Sequence, residues 1–369
     1  MQQRTRRIAL LGCLSVTMMA LYGRIDFRSA QFEHWDLWSY QAMAEAAPGL
    51  SSQVARPFAY RLLGPYLVGL LPLPTSAGFY IATIATALGL TFLFYGLLRK
   101  LAFDPTIAML GTSLFLFNRY FFGFVVWDYF QLSDILSFTF LVLLWWSMLA
   151  GRWGPFALLL ALGVLSRETV WLMIPVAFVH LWESGAIRAQ WKAAAVSITP
   201  ALLIAVLLRL FVQADGGLSV IQAFFTIAPR KVLQPESWIS LVAAFLPLSI
   251  LPMIFHKVTF DFFRRRKHAA IFAGLVVGST LLGRDNARLM APSFIVFYPL
   301  IASILQLQRG QRVWIGIIMA SSFAASFHHI YGLVPLPGKL VTGVVSAATL
   351  ALVTTSALFI RLGARNETR

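Results

Sequence analysis

The sequence predicts an all-α protein that crosses a membrane many times. Of its 369 residues 59% are hydrophobic and 12% charged, apolar runs follow one another along the whole chain, and the cations form short clusters between these runs. A soluble domain needs more polar residues than this composition supplies, whereas cations beside apolar runs are typical of anchors for membrane helices. We therefore expect one transmembrane domain over residues 1–369 and, despite a net charge of +16, no nucleic-acid partner.

The apolar runs set the number of expected helices. A bilayer core about 30 Å thick needs about 20 apolar residues per helix, and fewer where a helix ends in a protein cavity. On this basis we predict about twelve transmembrane helices, within a range of ten to thirteen. The predicted spans are residues 8–23, 77–98, 105–127, 131–149, 154–165, 169–182, 194–212, 237–255, 269–283, 289–307, 313–331 and 340–361. The first run has no small-residue cleavage site, so we interpret it as an uncleaved helix and not as a signal peptide.

Residues 58–73 leave the helix count open. They are apolar but short, and Arg61 and Pro65 lie among them. A full crossing here would move Arg99 and Lys100 to the outer side, against the usual distribution of cations. We therefore predict an interfacial or re-entrant helix.

The run from residue 156 to 182 is the second open segment. It is long enough for one helix, but Arg167 and Glu168 interrupt its middle. Unpaired charge is costly at membrane depth. We predict a hairpin of two short helices whose tip lies in a cavity near the outer face.

The charges predict the orientation of the chain in the membrane. With both termini in the cytoplasm, cytoplasmic segments hold 18 of the 30 Lys and Arg residues but only four of the 14 acids. This cation bias follows the positive-inside rule. The longest outer loops are then residues 24–76, with membrane-surface helices, and residues 213–236, with a short amphipathic helix. We expect a bacterial cytoplasmic membrane and an extracytoplasmic site.

The first outer loop contains the most reactive-looking residues. Asp36, Tyr40 and Ala44 are spaced to share one face of a helix, and Trp35 and Trp38 suit a helix at the membrane surface. Asp36 has two interpretations. Its side chain caps this helix, or it acts as a general base that deprotonates an acceptor hydroxyl.

Two motifs in this loop resemble a known family. Residues 36–44 read Asp-x-x-x-Tyr-x-x-Met-Ala, and residues 56–65 read Arg-Pro-Phe-x-Tyr-Arg-x-Leu-x-Pro. This pattern resembles the GT-C superfamily of integral-membrane glycosyltransferases, which use polyprenyl-phosphate sugars as donors on the outer or lumenal face. The resemblance implies a GT-C-like fold in which Asp36 is the catalytic base, with Asp26 as the alternative.

The resemblance also bears on substrates and metals. It implies substrate-binding roles for Tyr40, Arg56 and Arg61. Some family members have two adjacent acids in this loop, and this chain has no such pair. No cofactor is therefore certain, and a divalent metal remains an open question.

Asp128 and Asp134 flank the predicted loop between the third and fourth spans. Their spacing of six residues does not place them on one helix face, so they do not form a convincing metal pair. Either carboxylate would orient an acceptor sugar by hydrogen bonds. The alternative is that both cap helices.

Arg167 lies at the tip of the predicted hairpin, next to Glu168. In similar GT-C chains a basic residue at such a tip faces the donor phosphate, and a guanidinium binds phosphate with two parallel hydrogen bonds. We assign Arg167 to the donor phosphate and Glu168 to the substrate. The alternative is an ion pair of Arg167 with Glu168 or Asp128 that only holds helices together.

Arg284 and Arg288 lie one helical turn apart, with Asp285 between them. Two guanidiniums at this spacing suit a clamp on the donor phosphate, with Asp285 contacting substrate. The alternative is a rim of arginines that extend toward the membrane surface. Four further residues stay outside the predicted site because loop cations and interfacial histidines need no special role: Arg230, Lys231, His328 and His329.

Together these observations predict a membrane glycosyltransferase. It would move a sugar, with inversion, from a polyprenyl-phosphate donor to a glycan, lipid or protein acceptor on the extracytoplasmic face, among membrane lipids. The alternatives are a transporter or lipid flippase, a lipid-linked glycan polymerase or ligase, and a structural membrane subunit. Against a transporter, the acids cluster on one face and the sequence does not indicate paired broken helices.

Overall fold

Helices form all the regular secondary structure of the described chain. The computed structural model describes residues 2–28, 32, 35–51, 54–212, 214, 220–283, 285–326 and 338–366, and within them there are no strands. Backbone polar groups in a bilayer have no water to bind, and a helix satisfies them internally. The all-α class predicted from composition is therefore confirmed for this part of the chain.

The described residues up to Gly69 form one long α-helix and two short ones. These are α1 (Gln2–Tyr22), α2 (Leu37–Ala46) and α3 (Leu63–Gly69), with a 3₁₀ turn at Phe58–Tyr60. α3 has seven residues, about 10 Å of helix, which cannot cross a bilayer. This agrees with the prediction that residues 58–73 do not span the membrane.

α2 lies directly against α3. A Cβ atom on Gly69 would come within 2.1 Å of the carbonyl oxygen of Ala44. The backbones touch at this point, and only glycine leaves room for that approach.

The next segment supplies the centre of the bundle. Its helices are α4 (Thr75–Lys100), α5 (Pro105–Leu116), α6 (Phe124–Trp127) and α7 (Leu132–Leu149), with a π-helical turn at Arg119–Gly123. The predicted span 105–127 is bent by 51°. The side chain of Asn118 accepts hydrogen bonds from the backbone N–H groups of Tyr120 and Phe121 at the bend. An amide that caps the new turn stabilises such a break.

A short hairpin follows, as predicted from its charges. It comprises α8 (Trp153–Val164), a 3₁₀ turn at Glu168–Leu172 and α9 (Met173–Glu183), and α10 (Ile187–Phe211) comes next. The helix ends before Arg167, whose backbone is extended. The interruption predicted at Arg167 and Glu168 is therefore present.

The segment after α10 departs from one prediction. Its helices are α11 (Val220–Thr226), α12 (Ala228–Leu233), α13 (Pro235–Ala243), α14 (Leu251–Ile254), α15 (His256–Arg265) and α16 (Lys267–Thr280), with a 3₁₀ turn at Leu248–Ile250. The predicted span 237–255 is not one continuous helix, because α13 and α14 are bent by 103° relative to each other. Pro247 lies at this break, and a proline has no N–H to continue a helix.

In the last segment, the helix at Phe294–Leu307 packs into the core. Its elements are α17 (Asn286–Leu289), a 3₁₀ turn at Ala291–Ser293, α18 (Phe294–Leu307), α19 (Arg312–Ser326) and α20 (Gly338–Asn366). Phe94, Phe115 and Phe294 meet with ring centroids 4.9–5.3 Å apart. These rings tie α4, α5 and α18 together. His328 and His329 lie outside the described residues.

The helices have membrane character, but fewer of them are long than predicted. Among the described residues, five helices are long and apolar enough to span a bilayer, or seven if each bent pair counts as one span. α8 has 12 residues, about 18 Å, and falls short of a 30 Å core. Twelve spans and a GT-C fold therefore stay predictions.

Candidate functional site

Asp36 directly precedes α2, but its side chain does not cap the helix. Instead, Oδ1 accepts a hydrogen bond from Nε2 of Gln131 at 2.7 Å, and Oδ2 accepts one from Nη2 of Arg288 at 2.9 Å. The side chain is 11% exposed. The carboxylate thus faces inward toward α7 and α17 while keeping an accessible edge.

Arg288 joins Asp36 to a second carboxylate. Its Nε donates to Oδ2 of Asp134 at 3.0 Å, and its Nη2 donates both to Asp36 and to Oε1 of Gln131. The guanidinium also lies over the ring of Phe124, 5.2 Å from the centroid. A planar fork with several donors is what allows one side chain to reach three acceptors at once.

Asp134 gathers two arginines from distant parts of the chain. It is buried, and its other oxygen, Oδ1, pairs with Nη1 of Arg167. Arg167 is itself buried. The partner of Arg167 is therefore Asp134, and not Glu168 or Asp128 as in the predicted ion-pair alternative. A carboxylate in this environment needs such cations, because an unpaired buried charge is very costly.

Gln131 connects Asp36 to Asp128. Its Nε2 donates to Asp36 and, at 2.9 Å, to Oδ2 of Asp128. Asp128 is fully buried, and Oδ1 has no hydrogen-bond partner among the described residues. Burial, together with the nearby charge of Asp36, raises the pKa of Asp128 to about 7. Asp128 is thus partly protonated near pH 7, where an ordinary aspartate is ionised.

Tyr40, Arg61 and Glu168 form an adjoining group. Arg61 donates to the Tyr40 hydroxyl at 3.0 Å, and its Nε and Nη2 donate to one oxygen of Glu168 at 3.2 and 3.0 Å. Burial raises the pKa of Tyr40 to about 12, so its hydroxyl stays protonated. Glu168 is 42% exposed and gives the group an open side.

Four other predicted site residues lie elsewhere or contribute differently. Asp26 is exposed and accepts a hydrogen bond from the backbone N–H of Arg28 at 3.3 Å. Arg56 is exposed and makes no polar contact with the cluster among the described residues. Asp285 caps α17 by accepting from the backbone N–H of Arg288 at 3.1 Å. Arg284 lies outside the described residues.

Two residues of the site were missed or set aside by the sequence analysis. Gln131 bridges three of the cluster residues, yet an uncharged amide gives no signal in a sequence. Lys231 was set aside as a loop cation, but it is buried and its Nζ donates to Oδ1 of Asn286 and, at 3.3 Å, to the carbonyl of Thr280. Burial lowers the pKa of Lys231. Since Asn286 begins α17, Lys231 connects the second outer loop to the helix that carries Arg288.

The cluster contains carboxylates, but it is a poor fit for a divalent metal. The oxygens of Asp36 and Asp134 already contact the guanidiniums of Arg288 and Arg167. An ion bound there would have to displace these cations or lie beside them, which like charge opposes. The arrangement is better suited to an anion that competes with the carboxylates for the arginines.

Comparison of the chain with protein-family models, with curated proteins and with solved structures finds no match in any of the three. The cluster is therefore interpreted from its own geometry. Its accessible edge consists of a carboxylate, Asp36, in direct contact with a guanidinium, Arg288, which is 17% exposed. Such an edge offers a proton acceptor beside an anion-binding group.

Proposed function

We propose that the protein is a membrane glycosyltransferase that transfers a sugar from a polyprenyl-phosphate donor to an acceptor on the extracytoplasmic face. The contact between Asp36 and Arg288 carries this proposal. The sequence predicts Asp36 as the catalytic base and Arg288 as a ligand of the donor phosphate. These residues are 252 positions apart in the chain, yet Nη2 of Arg288 lies 2.9 Å from Oδ2 of Asp36. Sugar transfer with inversion needs a base and a phosphate-binding cation in one site but on opposite faces of the anomeric carbon, so Arg288 would have to leave Asp36 when the donor binds.

The proposed reaction is a single displacement. The acceptor hydroxyl attacks the anomeric carbon while Asp36 removes the hydroxyl proton. The bond from that carbon to the phosphate oxygen breaks, and its electron pair leaves with the polyprenyl phosphate. One base and one displacement invert the anomeric centre.

Arg288 would have two partners in turn. Without donor, it donates a hydrogen bond to Asp36. A donor phosphate offers the same fork two oxygens. When Arg288 turns to the phosphate, the Asp36 carboxylate becomes free to contact the acceptor hydroxyl, and the cation stabilises the negative charge of the leaving group.

The other cations have supporting roles in this proposal. Arg167 fixes Asp134, which in turn orients Arg288 through its Nε atom. Arg61 holds Tyr40 and Glu168 at the open side, where the hydroxyls of an acceptor would bind. Arg284 remains a proposed second phosphate ligand.

The test is transfer of radiolabelled sugar from synthetic polyprenyl-phosphate hexose and pentose donors. Membranes would contain wild type, Asp36→Asn or Asp26→Asn at matched protein levels. Loss of a general base typically costs 10²- to 10⁴-fold, so we expect transfer to fall about 100-fold or more in Asp36→Asn. The matched control Asp26→Asn should keep wild-type activity, because Asp26 lies outside the cluster. Full activity in Asp36→Asn would remove the centre of the proposal.

One observation favours a transporter or lipid flippase as a second candidate. The pairs α5 with α6 and α13 with α14 are bent by 51° and 103°, and broken helices line the substrate paths of many transporters. Vesicles containing the purified protein and a fluorescent polyprenyl-phosphate sugar separate the two functions. A transporter moves the lipid between leaflets without a covalent product, whereas a transferase makes the product without needing that movement.

A further inference from the structure

A second cluster, of side chains that can act as metal ligands, lies apart from Asp36 and Arg288. His180, Glu183 and His268 each offer one ligand atom, and these atoms lie within 4.8 Å of one another. Glu183 ends α9, whereas Glu168 precedes it. The 3₁₀ turn and α9 separate the two acids by about 25 Å of helix. The cluster therefore lies at the opposite end of α9 from Glu168.

The two helices that meet here hold the three side chains in place. His180 and Glu183 are three residues apart on α9 and share a face. His268 is the second residue of α16. The Glu183 carboxylate accepts the backbone N–H groups of Lys267 and His268 and contacts Nδ1 of the His268 ring. Because Glu183 caps α16, its oxygens are fixed before any ligand arrives.

His268 is left with one unused nitrogen. The residue is 5% exposed, and its Nε2 has no hydrogen-bond partner among the described residues. With the ring proton on this nitrogen, the lone pair of Nδ1 faces the Glu183 carboxylate. Two acceptors in contact are costly unless a proton or a metal ion lies between them. A metal ion there would be bound by Nδ1 and by the carboxylate at once.

Aromatic rings pack around the cluster, and Arg266, a cation near His268, lies over the Phe262 ring at 4.7 Å. The His180 and His268 rings are 5.1 Å apart at 80°, and Trp145 packs on His268 at 5.4 Å. Lys267 directs its ammonium over the Trp182 ring at 4.4 Å. This cation is therefore engaged by an aromatic face rather than by the cluster.

We infer that His180, Glu183 and His268 bind a transition-metal ion of the zinc class, which clamps α9 to α16. Two imidazoles and one carboxylate form a ligand set that suits Zn²⁺ and leaves a fourth position for water. Oxygen-seeking ions such as Mg²⁺ and Ca²⁺ prefer carboxylates and carbonyls, so they fit less well. On binding, the ion replaces the proton shared by His268 and Glu183.

The clamp would act on the ends of two helices that lead to the other site. α9 follows Arg167, and α16 ends at Thr280, whose carbonyl binds Lys231. A bound ion would fix the spacing of these helices at the far side of the bundle. Metal binding itself does not depend on the proposed sugar transfer, so each proposal can fail alone.

Metal binding to the full chain in detergent tests this inference. The protein is purified without a histidine tag, stripped with a chelator and titrated with Zn²⁺ and with Co²⁺. The key variant is His180→Asn, which removes one ligand and leaves the Glu183 cap on α16 intact. The matched control is His256→Asn, since His256 lies at the exposed start of α15.

We expect wild type and His256→Asn to bind one Zn²⁺ per chain, with a raised Tm, and to give the visible absorption of four-coordinate Co²⁺. His180→Asn should lose about 100-fold in affinity and lose that absorption. Equal binding by His180→Asn would overturn the assignment. Failure of the wild type to bind Zn²⁺ or to give the Co²⁺ spectrum would do so too, whatever the variant does.

Discussion

Within the site, Asp36 and Asp134 both contact Arg288, but they differ in burial and in the number of cations that they bind. Asp134 is 1% exposed and neutralises Arg167 as well as Arg288. Asp36 lies at the accessible edge and shares Arg288 with Asp134. Asp134 contacts two cations, and Asp36 is the carboxylate that keeps an accessible edge.

This difference predicts that Asp134→Asn destabilises the protein more than Asp36→Asn does. Asp134→Asn leaves the buried Arg167 without its carboxylate, and breaking a buried pair costs about 3–5 kcal/mol. Asp36→Asn leaves Arg288 paired with Asp134 and should cost only about 1 kcal/mol. Thermal unfolding of the purified variants in detergent measures both. A larger drop in Tm for Asp36→Asn than for Asp134→Asn would contradict this division of roles.

Asp128 makes stability depend on pH. Its pKa is raised from 3.8 to about 7 by burial and by Asp36, so the folded chain keeps a proton that the unfolded chain releases. This contribution is fully present below about pH 4 and is lost as the pH rises through about 7. Relative to Asp128→Asn, which cannot titrate, the wild type should lose up to about 4 kcal/mol over that range.

Unfolding in detergent across this pH range checks the prediction for Asp128. The fall should be smaller in Asp36→Asn, since removal of that charge lowers the pKa of Asp128. Parallel pH curves for the wild type and Asp128→Asn would show that Asp128 titrates normally.

Charge and spacing predicted several of the residues in this cluster but not their partners. Asp36, Arg167 and Arg288 stood out because ionisable groups among apolar runs are rare and costly. Their meeting at Asp134 and Gln131 joins segments up to 252 residues apart, and no local periodicity encodes such contacts. Gln131 carries no charge, so nothing in its sequence context distinguished it.

At the scale of helices, α2 carries Asp36 at its start and depends on α3 for its position. Gly69 allows the backbones to touch, since a Cβ there would lie 2.1 Å from the Ala44 carbonyl oxygen. α2 would have to move for any other residue to fit. The position of Asp36 is therefore tied to a glycine with no chemical group of its own.

Gly69→Ala should lower both stability and activity. An alanine forces α2 and α3 apart, at a cost of about 1–3 kcal/mol for overpacking. The control is Gly89→Ala in α4, where an added Cβ meets nothing within 4 Å; there the better helix propensity of alanine should leave stability unchanged or raise it by up to about 1 kcal/mol. The Tm and the rate of sugar transfer are measured for both variants. If Gly69→Ala matched Gly89→Ala in both, the position of Asp36 would not depend on Gly69.

Helix breaks could be predicted only where the residue type marks them clearly. The interruption at Arg167 followed from the cost of charge at membrane depth, and the short α3 followed from its length. The bend between α13 and α14 was missed because residues 237–255 are apolar throughout, and Pro247 alone does not distinguish a kinked helix from a broken one. Packing around the break, which a sequence does not display, decides that outcome.

For the whole molecule, the two clusters lie at opposite ends of α9. Asp36, Arg167 and Arg288 meet near the start of α9, and His180, Glu183 and His268 meet near its end. The first group lies on segments predicted outside, and the second on segments predicted at or near the cytoplasmic side. In the predicted orientation, the proposed lipid-linked donor would reach the first group from the outer leaflet, and the proposed metal ion would reach the second group from the cytoplasm.

Cysteine labelling in intact cells tests this orientation. The free Cys13 is first changed to serine, which leaves a chain without cysteine. Glu236→Cys at the start of α13 and Gln311→Cys before α19 each add an exposed thiol, one predicted outside and the other inside. Because a charged maleimide does not cross the membrane, it should label Glu236→Cys in intact cells and Gln311→Cys only after permeabilisation. The reverse pattern would move Asp36 and Arg288 to the cytoplasmic face, and with them any donor that this site uses.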